Sequence, residues 1–461
     1  MIGLALLLSA LAAADPLDLA RQQSQSGQPE IALETLAPLL DTGSGEALAL
    51  AGLIHESSGQ LLLARQRLEA ALASGDLADP GAAHLAMARC FQGTGDTARA
   101  IQHATAALAT EDATRHDETL SLLIKLSVSM LGPAEAMALL SSALPPEALP
   151  ETWSALAEGY LAVGMASAAV PPLQAAITAQ PHSPLAPHWQ TRIADAARKS
   201  GNTDNEVEAL ERLARDYTAS SAWAEAHPEI AAETEGEIEA RIRSAILRLH
   251  QDTQLTRFSR SNPSTQRLSR LVLAWLVRYP DHAAAGQIHD LYGELLMRTG
   301  RFSESHTQHM AAWDLTGEAR HLHAAGFSAS YSVKEAGSPH ALEPQPLTPE
   351  AEALLTCADL YHHHFPATAE DSTLQLESAN ALIQLGRFRE ARARLMFIID
   401  ADPTTAIAEQ AARTVLNTYL FVEDWKGIRA TAERFDAQPG LSSPAFQTRL
   451  DEILAQTASL R

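Results

Sequence analysis

Glycine returns through the first half of the chain at Gly27, Gly59, Gly95, Gly132, Gly164 and Gly201, at intervals of 32, 36, 37, 32 and 37 residues. A period of about 34 residues, with slack, is what stacked helix pairs tolerate. The stretch from Trp153 to Pro181 shows what lies around each glycine. Trp153, Leu156, Ala157 and Tyr160 fall at i, i+3, i+4 and i+7, one face of a helix. Gly164 ends that helix. A second stripe of Ala169, Leu173 and Ala176 follows, and Pro181 closes the unit. One such pair cannot bury its apolar face alone, so neighbours must stack.

The frame recurs along most of the chain after residue 16. Ala88, Phe91, Gly95, Ala100 and Ala104 form one copy; Gly52, Gly59, Ala64 and Leu68 another; Gly27, Ala32 and Leu36 mark the first. Later copies hold Tyr292, Gly293, Gly300 and Ala312, then Ala379, Leu382, Gly386, Ala391 and Leu395. GRFSES at 300–305 and GRFREA at 386–391 are near-copies of one interhelix turn. Alanine and leucine dominate, and aromatics are 5% of residues, which favours helix packing over a β-sandwich. The expected fold class is all-α, a solenoid of stacked antiparallel helix pairs.

The pattern W-x2-L-[GA]-x2-Y…G…A-x3-[FL]-x2-A…P in Trp153–Pro181 resembles the tetratricopeptide repeat (TPR). The resemblance implies a TPR superhelix in two solenoid halves. The boundaries read as 15–227 for the first half, 228–267 for an irregular acidic and polar joint, and 268–461 for the second half, with a loop at 327–349. Pro171-Pro172 falls inside the second helix of the best-formed repeat, which implies a late start or a kink.

Charge narrows the partners. Lys+Arg is 34 against Asp+Glu 56, a formal net charge of -22. Such a surface repels phosphate backbones, and the densest basic stretch, RFREARAR at 387–394, carries Glu390 and reads as a solvated helix face. Cys90 and Cys357 read as buried free thiols on helices; a lone disulfide is the alternative. Residues 1–14 read as a signal peptide: Ile2 to Leu11 is an apolar run of h-region length, and Ala12-Ala13-Ala14 fits a cleavage site. No Lys or Arg precedes the run, and a first solenoid helix is the competing reading. No other stretch approaches the length of a membrane helix.

Tyr361-His362-His363-His364-Phe365-Pro366 is the one stretch that looks like metal chemistry. Pro366 stands where Pro181, Pro280 and Pro403 stand, at the end of a second helix. The three histidines therefore lie on a last helical turn, about 100° apart, and cannot converge on one ion. His321 and His323 are also wrongly spaced for one face. The chain has no H-E-x-x-H, C-x-x-C, G-x-S-x-G, Walker A or G-x-G-x-x-G motif. No catalytic residue, metal ligand or cofactor site is expected.

The expected function is a non-enzymatic protein–protein interaction scaffold of the bacterial cell envelope. The joint Tyr279-Pro280…Ala285, with its counterpart at Phe365-Pro366, resembles bacterial envelope TPR proteins, among them outer-membrane assembly factors and the Tol-Pal-associated division coordinator. Residues 394–428 are similar to TPR proteins of myxobacterial surface machinery. The alternatives are a cytoplasmic TPR co-chaperone or adaptor without export, and an accessory array of an enzyme. In TPR co-chaperones, Lys and Asn on successive first helices clamp a partner's C-terminal carboxylate. The positions one and five after that of Trp153 are here Ser154 and Glu158, Asp290 and Glu294, and Leu376 and Asn380. Acidic groups there repel a carboxylate, so a basic or apolar partner segment is expected.

Overall fold

The computed structural model describes residues 15–110, 115–254, 262–337, 341–441 and 443–458. The expected signal peptide, 1–14, lies outside the described residues. Among them are 24 α-helices and no strand. No helix searched is long and apolar enough to cross a membrane.

The chain divides into two compact units, Met1–Glu235 and Gly236–Arg461. The first holds the pairs α1 (Pro16–Gln25) and α2 (Pro29–Asp41), α3 (Gly45–Ser57) and α4 (Leu61–Ser74), α5 (Pro80–Gly93) and α6 (Thr97–Leu108), α7 (His116–Met130) and α8 (Pro133–Ala143), α9 (Leu149–Ala162) and α10 (Ala166–Ala179), α11 (Ala186–Lys199) and α12 (Thr203–Asp216), then the short α13 (Ala222–Ala226). Helix α14 (Pro228–Gln254) runs through the division. The second unit continues with α15 (Pro263–Arg278), the pairs α16 (Ala285–Arg298) and α17 (Phe302–Thr316), α18 (Ala319–Ala336) and α19 (Pro349–His364), α20 (Ala369–Gln384) and α21 (Phe388–Ala401), α22 (Ala406–Phe421) and α23 (Trp425–Asp436), and ends on α24 (Pro444–Gln456). Within each unit helices pack on their sequence neighbours. First helices also pack on the next first helix, as α3 on α5 and α18 on α20. This is the expected all-α solenoid of helix pairs.

Seven of the ten pairs close through the same turn. Gly27, Gly59, Gly95, Gly164, Gly201, Gly300 and Gly386 have φ between 69 and 80°. The following N–H donates back into the first helix, as Arg387 to Leu382 O at 2.9 Å and Met165 to Tyr160 O at 2.8 Å. That ring needs a left-handed residue, which glycine adopts without a β-carbon clash. Gly132 is an exception: with φ -70° it caps the start of α8 instead.

The two helices of a pair cross where side chains are smallest. Seven residues before the turn glycine stand Ala20, Gly52, Ala88, Ala157, Ala194, Gly293 and Ala379. Five after it stand Ala32, Ala64, Ala100, Ala169, Ser305 and Ala391, all 0% exposed, while Glu206, 4% exposed, holds that place after Gly201. At the two glycines among them the second helix comes close. A β-carbon on Gly52 would lie 2.5 Å from Leu68, and one on Gly293 would lie 2.7 Å from His309.

Three local expectations need correction. Residues 228–254 are one helix, not an irregular joint. Glu229, Glu233 and Glu237 face solvent while Ile238, Ile242, Ala245, Ile246 and Leu249 form a buried stripe; the acidic composition hid that helical spacing. Residues 255–261 of the same expected joint lie outside the described residues. The loop expected from 327 begins after Ala336, because Ala329 and Val333 extend the buried face of α18 by two turns. Helix α10 starts on time at Ala166 and runs through Pro171, exposed, and Pro172, buried.

Candidate binding groove

The six residues expected to line a partner groove meet different fates. Ser154 and Glu158 sit half-buried on α9, and Glu158 is gripped through both oxygens by Arg192 of the next first helix, α11. Leu376 is not available to a partner: it is 7% exposed and belongs to the apolar core of the last pairs, with Ile383, Phe388 and Leu395. Asn380 is half-buried on α20. Asp290 and Glu294 line a common cleft.

That cleft, ≈ 310 Å³, lies between the first helices α16 and α18. One wall carries Asp290, Glu294, Met297 and Arg298, the other Arg320, Ala324 and Phe327, and His309 of α17 also lines it. Residues three and four apart share a helix face, so each wall is one row. Asp290 is not free to meet a ligand. Its Oδ1 lies 3.0 Å from Nδ1 of His309 and 3.0 Å from Nδ1 of His321, which are 3% and 0% exposed. Arg320 stands 3.7 Å from Oδ2. Burial pushes the Asp290 carboxyl up, but the hydrogen bond from His309 and the field of His321 outweigh it and hold it below its ordinary value. Asp290 therefore ties α16 to α17 and α18.

Glu294 is different. It is 52% exposed, with His250 at 3.7 Å. Across from it, His323, Phe327 and Tyr331 follow one another at i, i+4 and i+8 along α18, with ring centroids 6.1 and 5.1 Å apart. Phe302 packs on Tyr331 at 5.2 Å. Phe327 and Tyr331 remain 38% and 37% exposed. On the far side α20 presents Glu370 and Glu377. Lys334 already uses this chemistry: its ammonium lies 5.1 Å from the Tyr331 ring centroid and 2.9 Å from Glu377. The surface is an aromatic row between carboxylate rows, with Arg320 held by Glu318 at 2.7 Å. Phe327 and Tyr331 escaped the sequence reading because they fell in the expected loop; their four-residue spacing with His323 was the available signal.

The position of Trp153 carries a polar residue in other pairs, joined to the second helix nineteen residues on. His84 meets His103 at 3.0 Å, His289 meets Gln308 at 2.7 Å, Gln190 donates to Ala209 O at 3.1 Å, and Arg394 donates to Gln375 at 2.8 Å. These clasps fix the register of each pair.

The three histidines lie on the last turn of α19. His362 meets Asp371 at 2.9 Å and packs on Phe397, while His364 packs on Trp313. Asp371, 1% exposed, also accepts the N–H of Ala367 at 3.1 Å, whose φ is 61°. This is a built joint between α19 and α20. Cys90 and Cys357 are both free and buried.

No family model matches the chain, and no curated protein matches it. Among solved structures, the chain is similar to the C-terminal part of a TPR repeat-containing protein from Cytophaga hutchinsonii, with 14% identity, TM-score 0.31, and 58% of this chain and 96% of that one covered. It is also similar to PilF of Pseudomonas aeruginosa, with 16% identity, TM-score 0.28, and 49% and 96% covered. A structure of Naa15/Naa10 bound to HypK-THB matches with 13% identity, TM-score 0.32, and 96% and 67% covered. The fold assignment rests on the helix pairs, turns and crossings described above.

Proposed function

We propose that the chain is a non-catalytic TPR-type interaction scaffold that holds partner segments on the first-helix face of the unit Gly236–Arg461. The carrying observation is the pairing of exposed Glu294 with the half-open aromatic row of Phe327 and Tyr331. A partner segment that fits places a basic side chain at Glu294 and an apolar one on Phe327. Aromatic faces with a neighbouring carboxylate attract a cation whose stem is apolar. Of the other polar groups of the cleft, Asp290, His309 and Ser328 are tied into helix packing, and Arg320 is paired with Glu318.

Site-specific photocross-linking tests this reading. A photoreactive residue at Phe327 captures a partner in the native cell, and one at the exposed Leu62 of the other unit does not. Equal capture at both positions, or none at Phe327, contradicts it.

We further propose that the scaffold works in the bacterial cell envelope. This rests on the apolar run Ile2 to Leu11 followed by Ala12-Ala13-Ala14. Mature protein beginning near Ala13 or Asp15 supports export; soluble folded protein that retains Met1 supports a cytoplasmic adaptor instead.

A further inference from the structure

The aromatic row of α18 already holds one cation, and that cation belongs to the chain itself. Lys334 stands in the last turn of α18, three residues after Tyr331 and so on the same face. Its ammonium lies 5.1 Å from the Tyr331 ring centroid and 2.9 Å from Oε2 of Glu377 on α20. Phe302 of α17 backs the same ring, with centroids 5.2 Å apart. An aromatic face beside a carboxylate is a cation site, because the ring quadrupole and the anion attract the same charge. The Glu377 side chain is 23% exposed and well seated, whereas that of Lys334 is 50% exposed.

Given a first-helix groove that takes basic segments, as read above, we propose that Tyr331 and Glu377 form a second cation subsite of that groove. Lys334 is its internal stand-in, and the second basic side chain of a partner displaces it. Two features favour exchange over a permanent tie. An exposed ion pair contributes little, since water screens it and the long side chain loses freedom. Lys334 also grips Glu377 through a single ammonium, whereas a guanidinium grips with two nitrogens, as Arg192 does on Glu158. Exchange of one ammonium for another nearly cancels. Lys334 therefore holds down the affinity for doubly basic segments, and its removal uncovers the full gain.

The row also sets the spacing of the segment. Phe327 and Tyr331 are one helical turn apart, about 6 Å along the axis. Same-side residues of an extended chain repeat about every 6.6 Å. In a segment lying extended along α18, an apolar side chain on Phe327 thus puts the side chain two residues on over Tyr331, beside Glu377. Glu294, across the cleft from Phe327, takes a basic residue next to the apolar one. The partner chemistry is basic, apolar, any residue, basic.

Fluorescence titration of the full chain at low salt tests the subsite with two labelled peptides, Lys-Leu-Ser-Lys and Lys-Leu-Ser-Ser, each between Gly-Ser flanks. The wild type binds the two within about twofold, because one exposed ion pair replaces another. Lys334→Ala binds the two-lysine peptide about fivefold more tightly than the wild type does and leaves the one-lysine peptide unchanged. Tyr331→Leu or Glu377→Gln, added to Lys334→Ala, removes the gain. Helical circular dichroism confirms the fold of each variant. An equal gain for both peptides is a general charge effect and overturns the subsite, as does a gain that survives both Tyr331→Leu and Glu377→Gln. Binding of both peptides by the wild type, unchanged in Lys334→Ala, overturns the subsite alone. Binding of neither peptide by either protein overturns the subsite and the groove together.

Discussion

The carbonyl oxygen of Glu343 stands 2.5 Å from where a β-carbon on Gly386 would lie. Residues 341–345 cross the α20–α21 turn there, with Ala341 N–H donating to Gln384 O at 3.0 Å and Gln345 N–H to Leu385 O at 2.8 Å. Gly386 also has φ 69°. It is thus needed twice, for the left-handed turn and for the close passage of a second chain segment.

Gly386→Val should therefore cost about 3 kcal/mol, left-handed strain plus overpacking against backbone. Gly59 has the same turn conformation, but nothing lies within 4 Å of its added β-carbon, so Gly59→Ala should cost only about 1 kcal/mol. Urea midpoints followed by circular dichroism give both values. Equal costs at the two positions would contradict the passage of 341–345 over the turn.

Glu423 holds the turn position of the α22–α23 pair, with φ 53°, where seven other pairs use glycine. Glu423→Gly should stabilise the protein by about 1 kcal/mol, since the left-handed strain exceeds the added freedom of the unfolded chain. A lower melting temperature in that variant would mean the carboxylate contributes more than its backbone costs.

Asp290 makes stability depend on pH in a known direction. Its folded-state pKa is depressed below 3.8, so its contribution is present above the unfolded value and is lost as pH falls through the lowered one. Asp290→Asn should cost about 1–3 kcal/mol near neutrality, and the gap to wild type should narrow as pH falls below about 4. Paired urea unfolding curves measure it. A gap that stays constant into acid would show that Asp290 acts through packing rather than charge.

The turns and crossings could be read from sequence because the backbone itself demands them: a left-handed turn needs Gly164 or Gly386, and a close crossing needs Ala169 or Ala391. The roles of carboxylates could not. Asp290 and Glu294 share a row, yet partners from two other helices, His309 and His321, turn Asp290 into a tie and leave Glu294 in solvent. Helix α14 was hidden for a related reason. Its acidic residues dominate the composition, while five apolar residues on one stripe decide the structure. Leu376 stands at a position that would line a groove by counting, but the last pairs bury it.

The central claim is that the α16–α18 cleft takes a basic and apolar segment and rejects an acidic one. Fluorescence titration at low salt compares a short peptide alternating lysine and leucine with one alternating glutamate and leucine. The account predicts saturable binding of the lysine peptide, weakened by Glu294→Lys and by Phe327→Ala, and no binding of the glutamate peptide. Tight binding of the glutamate peptide, or lysine-peptide binding unchanged in both variants, would contradict it.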